Sequence, residues 1–104
     1  MVIVFVTVTL RPDVKDEILA EFEKFVQFVR THQAGCISFN FTAELWDSNP
    51  NRFRLYEVWE STETWKALHQ SPALVAFFEV INKLGEGALT FSEGQHYEAT
   101  LIPE

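Results

Sequence analysis

Residues Val2 to Leu10 alternate with a period of two. Val2, Val4, Val6, Val8 and Leu10 fall on one face, and Ile3, Phe5, Thr7 and Thr9 on the other. β-Branched residues at this spacing suit a pleated strand far better than a helix. The second face is only weakly polar, so this strand needs cover on both sides. A chain that opens in this way must supply two apolar layers for its first element.

The rest of the sequence reads as a short series of elements. Arg11-Pro12 ends the strand. Asp13 then stands as a helix cap, with Asp16 and Glu17 in a first turn where the helix dipole favours acids. Ile18, Phe22, Phe25 and Val29, flanked by Leu19 and Val26, predict an amphipathic helix ending near His32, with Gly35 as its stop. Cys36 to Trp46 alternates again, with Ile37, Phe39, Phe41, Ala43 and Leu45 opposite Ser38, Asn40, Thr42 and Glu44. Asp47-Ser48-Asn49-Pro50-Asn51 is a dense turn signal. Arg52 to Glu60 is the hairpin partner, with Phe53, Leu55 and Trp59 on one face and Tyr56 and Val58 on the other.

Ser61 caps a short helix carrying Trp65, Leu68 and His69. Ser71-Pro72 opens another, with Leu74, Val75, Phe77, Phe78 and Ile81 as its apolar residues and Gly85 and Gly87 at its end. Leu89 to Leu101 is a last strand, with a bulge or bend expected at Gly94. With right-handed crossovers, the order β-α-β-β-α-α-β predicts an α+β fold: a ferredoxin-like split βαβ, with an antiparallel sheet and helices on one face. The 104 residues are expected to form one domain, 1–104. Several strands carry large apolar residues on both faces, so a second sheet from another copy is expected over the open face. That makes a homodimer, closed as a dimeric α/β barrel.

Composition narrows the function classes. Ten Phe, 3 Trp and 2 Tyr exceed what a small core usually needs, which points to a pocket or an interface. Eight basic against 15 acidic residues leave a net charge of −7, which argues against nucleic acid and against an anionic membrane surface. Cys36 is the one cysteine, so no intrachain disulfide forms. The opening run MVIVFVTVTLRP has no basic region before its apolar stretch and does not read as a signal peptide. No stretch approaches ~20 apolar residues. The expected setting is the cytoplasm. Metal-ligand spacing, a Gly-rich phosphate loop and a Ser-His-Asp arrangement are all missing, so no cofactor is expected.

The segment Tyr56-Glu57-Val58-Trp59-Glu60-Ser61, followed by His69, Ser71-Pro72 and Phe78, resembles the central signature of the antibiotic biosynthesis monooxygenase domain. The strand ending in Arg11-Pro12 and the Gly35-Cys36-Ile37 start are also similar to that family. The resemblance covers nearly the whole chain. It implies a homodimer of the dimeric α+β barrel superfamily with a pocket between helices and sheet in each subunit. Members include flavin- and metal-free oxygenases of polyaromatic or quinol substrates, haem-degrading enzymes, an isomerase-like type and proteins without known activity. Where the haem-degrading branch carries Asn, Trp and His, this chain holds Thr7, Leu68 and Phe78. Ala73 stands where a second His commonly follows the Pro.

The resemblance implies a cofactor-free monooxygenase using dioxygen on a small aromatic or quinol-like molecule. A non-redox, isomerase-like enzyme and a non-catalytic dimeric binding module are the competing readings. His69 is the candidate catalytic base, because an imidazole exchanges protons near neutrality and Trp65 lies one turn away on the same helix face. Tyr56, Trp59, Trp65 and Phe78 are the candidate aromatic pocket, and Asn40 a candidate donor to a substrate oxygen. Glu57 shares the face of Phe53, Leu55 and Trp59, where a carboxylate needs an Arg or a backbone donor; a structural role is expected for it. Cys36 reads as a small hydrophobe. His32 and His96 read as peripheral, and Arg52 and Arg54 as a solvated pair.

Overall fold

A computed structural model describes residues 1–43 and 48–98, with side chains for all of these except 92–98. The elements are β1 (Val2–Leu10), α1 (Lys15–His32), β2 (Cys36–Thr42), β3 (Arg52–Trp59), α2 (Thr62–His69), α3 (Pro72–Lys83) and β4 (Leu89–Glu98). The sheet order is β2-β3-β1-β4, and every neighbouring pair is antiparallel. β3 lies between β1 and β2, and β1 between β3 and β4. This is the α+β, ferredoxin-like arrangement that the element order predicts.

The faces of β1 divide by parity. Val2, Val4, Val8 and Leu10 are buried in one core with Ile18, Phe22, Phe25, Val26 and Val29 of α1. Phe53, Leu55 and Trp59 of β3 and Phe77 and Ile81 of α3 join them. Rings lock the layers together. Phe22 stacks on Phe41 at 4.0 Å between centroids, and Phe77 touches Phe22 at 4.7 Å and Phe25 at 5.1 Å. Phe25 meets Phe39 edge-on at 5.8 Å. The opposite face of the sheet carries Ile3, Phe5, Tyr56 and Val58, with Phe5 43% exposed and its ring 4.8 Å from Tyr56. Arg54 and Arg52 continue that face opposite Thr7 and Thr9.

Three local expectations are corrected. Asp13 does not cap α1: Pro12–Val14 is a 3₁₀ turn, Val14 precedes the helix, and the Asp13 carboxylate accepts from Arg11 Nε at 2.6 Å. Ile37 does not share a face with Phe39. The register of β2 against β3 slips between Cys36 and Ser38, leaving Ile37 as the extra residue, 52% exposed. The bulge of β4 is at Ser92 rather than Gly94, since Phe91 pairs with Val8, Glu93 with Thr7 and Gly94 with Val6. Glu44 to Asp47, including the expected strand extension to Trp46, and residues 99–104 lie outside the described residues.

The two crossovers are pinned at their ends. Ser61 caps α2 in a reciprocal box with Thr64, and Ser71 accepts from Leu74 N at the start of α3. Gly35 has a φ of 79°, and an added Cβ would stand 2.4 Å from Thr64 Cγ2. Gly35→Ala therefore combines backbone strain with damage to the Ser61–Thr64 box. We expect a loss on the order of 2–4 kcal/mol in urea denaturation, from ~1–3 kcal/mol of left-handed strain and ~1 kcal/mol of cap.

Candidate functional site

The short helix α2 carries the candidate base. Its capping box fixes the first turn against Gly35, and Glu60 N donates to Gly35 O at 2.8 Å, joining the end of β3 to the start of β2. Trp65 packs half-buried against the core, and His69 is exposed one turn later. Their rings meet edge-to-face, 4.9 Å apart at 84°. His69 Nδ1 lies 3.1 Å from Trp65 O. A carbonyl oxygen only accepts, so the neutral ring holds its proton on Nδ1 and presents the Nε2 lone pair outward.

The other candidate residues are dispersed. Trp59 is wholly buried, meets Phe39 edge-on, and lies on the helix-covered face. Tyr56 sits on the opposite face beside Phe5, so the period of two along β3 keeps it from the Trp59 side. Phe78 is half-buried on α3 and touches Phe77 and Phe91 at 5.5 and 6.1 Å. Asn40 lies on β2, where its Oδ1 accepts from Arg30 and its Nδ2 donates to Ser38 Oγ. The structure thus brings Trp65 and His69 together and leaves Tyr56 and Asn40 elsewhere. His32 is exposed and stacked on Phe28 at 4.8 Å; the side chain of His96 lies outside the described residues.

Glu57 has more chemistry in it than the sequence pattern conveys. It is 4% exposed, between Phe39 of β2 and Val4 of β1 in the sheet register. Its partner is an indole: Trp59 Nε1 donates to Oε1 at 2.9 Å. Residues two apart on a strand share a face, so this pairing was within reach of the alternation pattern. Burial pushes the carboxyl up to about 7, and the indole hydrogen bond opposes that rise. Cys36, which is half-buried, is raised by burial and further by the Glu57 charge, with Arg30 opposing. That thiol is no ready nucleophile, in keeping with its expected role as a small hydrophobe. Among the described residues no group of three metal-ligating side chains clusters, and no helix is long and apolar enough to cross a membrane.

The sequence profile for antibiotic biosynthesis monooxygenase matches residues 1–80. The chain belongs to the antibiotic biosynthesis monooxygenase family. A structure from Deinococcus radiodurans, solved as a candidate antibiotic biosynthesis monooxygenase, is similar with a TM-score of 0.82 and 19% identity, covering 100% of this chain and 97% of that one. One from Caulobacter crescentus CB15, described in the same terms, gives 0.81 and 16%, covering 96% and 90%. Another from Nitrosomonas europaea gives 0.75 and 16%, covering 97% and 100%. At these identities the likeness is one of fold. Comparison with curated proteins finds no match. Within the antibiotic biosynthesis monooxygenase fold of this chain, His69 with Trp65 and the buried Glu57 are the groups with readable chemistry.

Glu57 gives stability a definite pH dependence. Its folded value, about 7, lies above the ordinary value of 4.5, so protonation favours the folded state. The stabilisation is complete below about pH 4.5 and is lost as pH rises through about 7. The span corresponds to roughly 3 kcal/mol at 1.36 kcal/mol per unit. Urea midpoints between pH 5 and 8 should fall for the native chain. They should stay nearly flat for Glu57→Gln, whose amide oxygen still accepts from Trp59.

Proposed function

We propose that this protein is a cofactor-independent monooxygenase acting on a small aromatic or quinol-like substrate, with His69 as the base. The carrying observation is the His69 geometry: the bond to Trp65 O fixes the tautomer, the ring lies 4.9 Å from the Trp65 indole, and Nε2 makes no hydrogen bond among the described residues. Membership of the family supports the reaction class. Nε2 takes a proton from a phenolic, quinol or anthrone-type group, leaving an electron-rich anion. The anion passes one electron to dioxygen, and the organic radical and superoxide combine at carbon. The resulting peroxide loses water, so one oxygen atom ends in a carbonyl and the other in water. For a methylene substrate the balance is CH₂ plus O₂ giving C=O plus H₂O. Trp65 supplies the flat wall against which such a ring packs.

A second copy over the open sheet face is part of this reading. Ile3, Phe5, Tyr56 and Val58 form an apolar band there, with Phe5 at its exposed centre. Covering that band removes the water contact that a two-faced apolar strand cannot otherwise avoid. Light scattering at micromolar concentration should give a dimer mass, and Phe5→Glu should shift it to monomer.

The activity is tested by dissolved-oxygen uptake with metal-stripped protein and a panel of hydroquinones, anthrones and naphthols. Uptake is expected with at least one member, falling on the order of 10²-fold or more in His69→Ala. Uptake that survives the substitution removes His69 as the base. Absence of uptake across the panel, with proton exchange into a keto substrate, favours the isomerase-like reading instead.

A further inference from the structure

β2 stands at one end of the sheet order and pairs with β3 alone among the described residues. Its outer side is a strand edge, and an edge is a template for one more strand. Along an antiparallel strand, alternate residues turn both N–H and C=O towards the neighbour, and the residues between turn theirs away. A docking strand needs a run of such outward groups.

Arg30, in the last turn of α1, lies across that edge. Its Nε donates to Phe39 O at 2.8 Å, and its Nη2 donates to Asn40 Oδ1. The two acceptors belong to different faces of the sheet. Phe39 pairs with Glu57 and packs into the helix-covered core, whereas Asn40 pairs with Tyr56, whose ring is on the open face beside Phe5. A guanidinium that starts from a helix on the covered side and ends on Asn40 passes over the edge. Phe39 O is the edge group it occupies, so Phe39 and Phe41 are the residues whose backbone turns outward. Asn40 is held in turn by its own donation to Ser38 Oγ at 2.8 Å.

The edge is also interrupted on the N-terminal side of this contact. Ile37 is the extra residue of the bulge and is 52% exposed. A bulge and a cation are both devices that blunt an edge. The two acceptors on Arg30 are neutral, and among the described residues no carboxylate lies within ion-pair distance of it. A strand arriving with Arg30 in place buries an uncompensated charge. One that displaces Arg30 leaves Asn40 Oδ1 without its donor.

We infer that Arg30 is a latch that shuts the β2 edge against a strand from a second copy of this chain. The other end of the sheet is β4. A β2-to-β4 contact between copies is head-to-tail, and such contacts run on into filaments unless they close. The latch acts on the edge whether or not the open faces are paired, so it stands apart from the proposed dimer. Asn40 is a positioning residue that holds the Arg30 head over the rim.

The test is light scattering with amide hydrogen exchange on the full chain, in the native and Phe5→Glu backgrounds. Each variant is compared with its own parent, so the fate of the open-face dimer does not enter the comparison. Arg30→Ala should shift the mass above that of its parent in both backgrounds as concentration rises from micromolar to millimolar. In the enlarged species the amides of Phe39 and Phe41 should exchange more slowly than in the parent. Asn40→Ala, which removes one of the two bonds and no core side chain, should give the same shift at higher concentration. An unchanged mass in Arg30→Ala, or growth without slower exchange at those two amides, would overturn the latch. Where Arg30→Ala fails to fold, the same two outcomes in Asn40→Ala decide the matter.

Discussion

The interlocked phenylalanine rings between α1, α3 and β2 are the constraint on which the rest of this fold depends. Phe22, Phe25 and Phe77 form one contact set from two helices, and Phe39 and Phe41 meet it from the edge strand. Each such ring removes ~150–250 Å² from water, and truncating one to alanine typically costs ~3–5 kcal/mol. These contacts fix the two helices relative to each other and to the edge of the sheet. Once they are in place, α2 settles with Leu68 buried in the core, Trp65 packed against it and its first turn against Gly35. The helix that carries Trp65 and His69 is thus positioned by its capped first turn and by Leu68 and Trp65 on its inner face.

A carboxyl in the same core runs against the packing logic around it. Apolar side chains of similar size would fill the place of Glu57 without desolvating a charge. Its single indole partner leaves it in an environment where proton and charge are nearly balanced at neutral pH. Proteins retain such groups at the expense of stability, and perturbed carboxyls of this kind gather at functional sites. In this chain the group lies one strand position from Val58, whose own face is the open one. The interior and the open face are therefore separated by the thickness of a single strand.

Much of the architecture was legible in the residues. The alternation of β1 and β3 set the two faces of the sheet, including the placement of Tyr56 and Trp59 on opposite sides. Ser61 and Ser71 announced both later helices. What escaped notice depended on one-residue events or on distant partners. The slip at Ile37 and the bulge at Ser92 change the register without any distinctive residue to mark them. Asp13 reads as a cap by type, but Arg11 two residues earlier claims its carboxylate. Arg30 carries no sign in the sequence, because its acceptors come from the next strand of the fold. The candidate base was readable as a residue type. Its tautomer depended on a backbone carbonyl that only the helix geometry supplies.

Arg11 has a further consequence. Besides Asp13, its guanidinium donates to Leu84 O and Glu86 O, in the turn that leads into β4. Gly85 has no side chain there, and an added Cβ would sit 3.1 Å from the guanidinium nitrogens. β1 and β4 pair across nearly the whole length of the chain, a topology that makes folding slow. The Arg11 clasp meets the turn just ahead of Leu89, which pairs with Leu10. With the turn held, the remaining loop to close is a few residues rather than some eighty, and its entropy cost falls accordingly. Leu10 and Leu89, the ladder pair nearest the clasp, are thus held together by a polar contact on the rim as well as by the strand pairing.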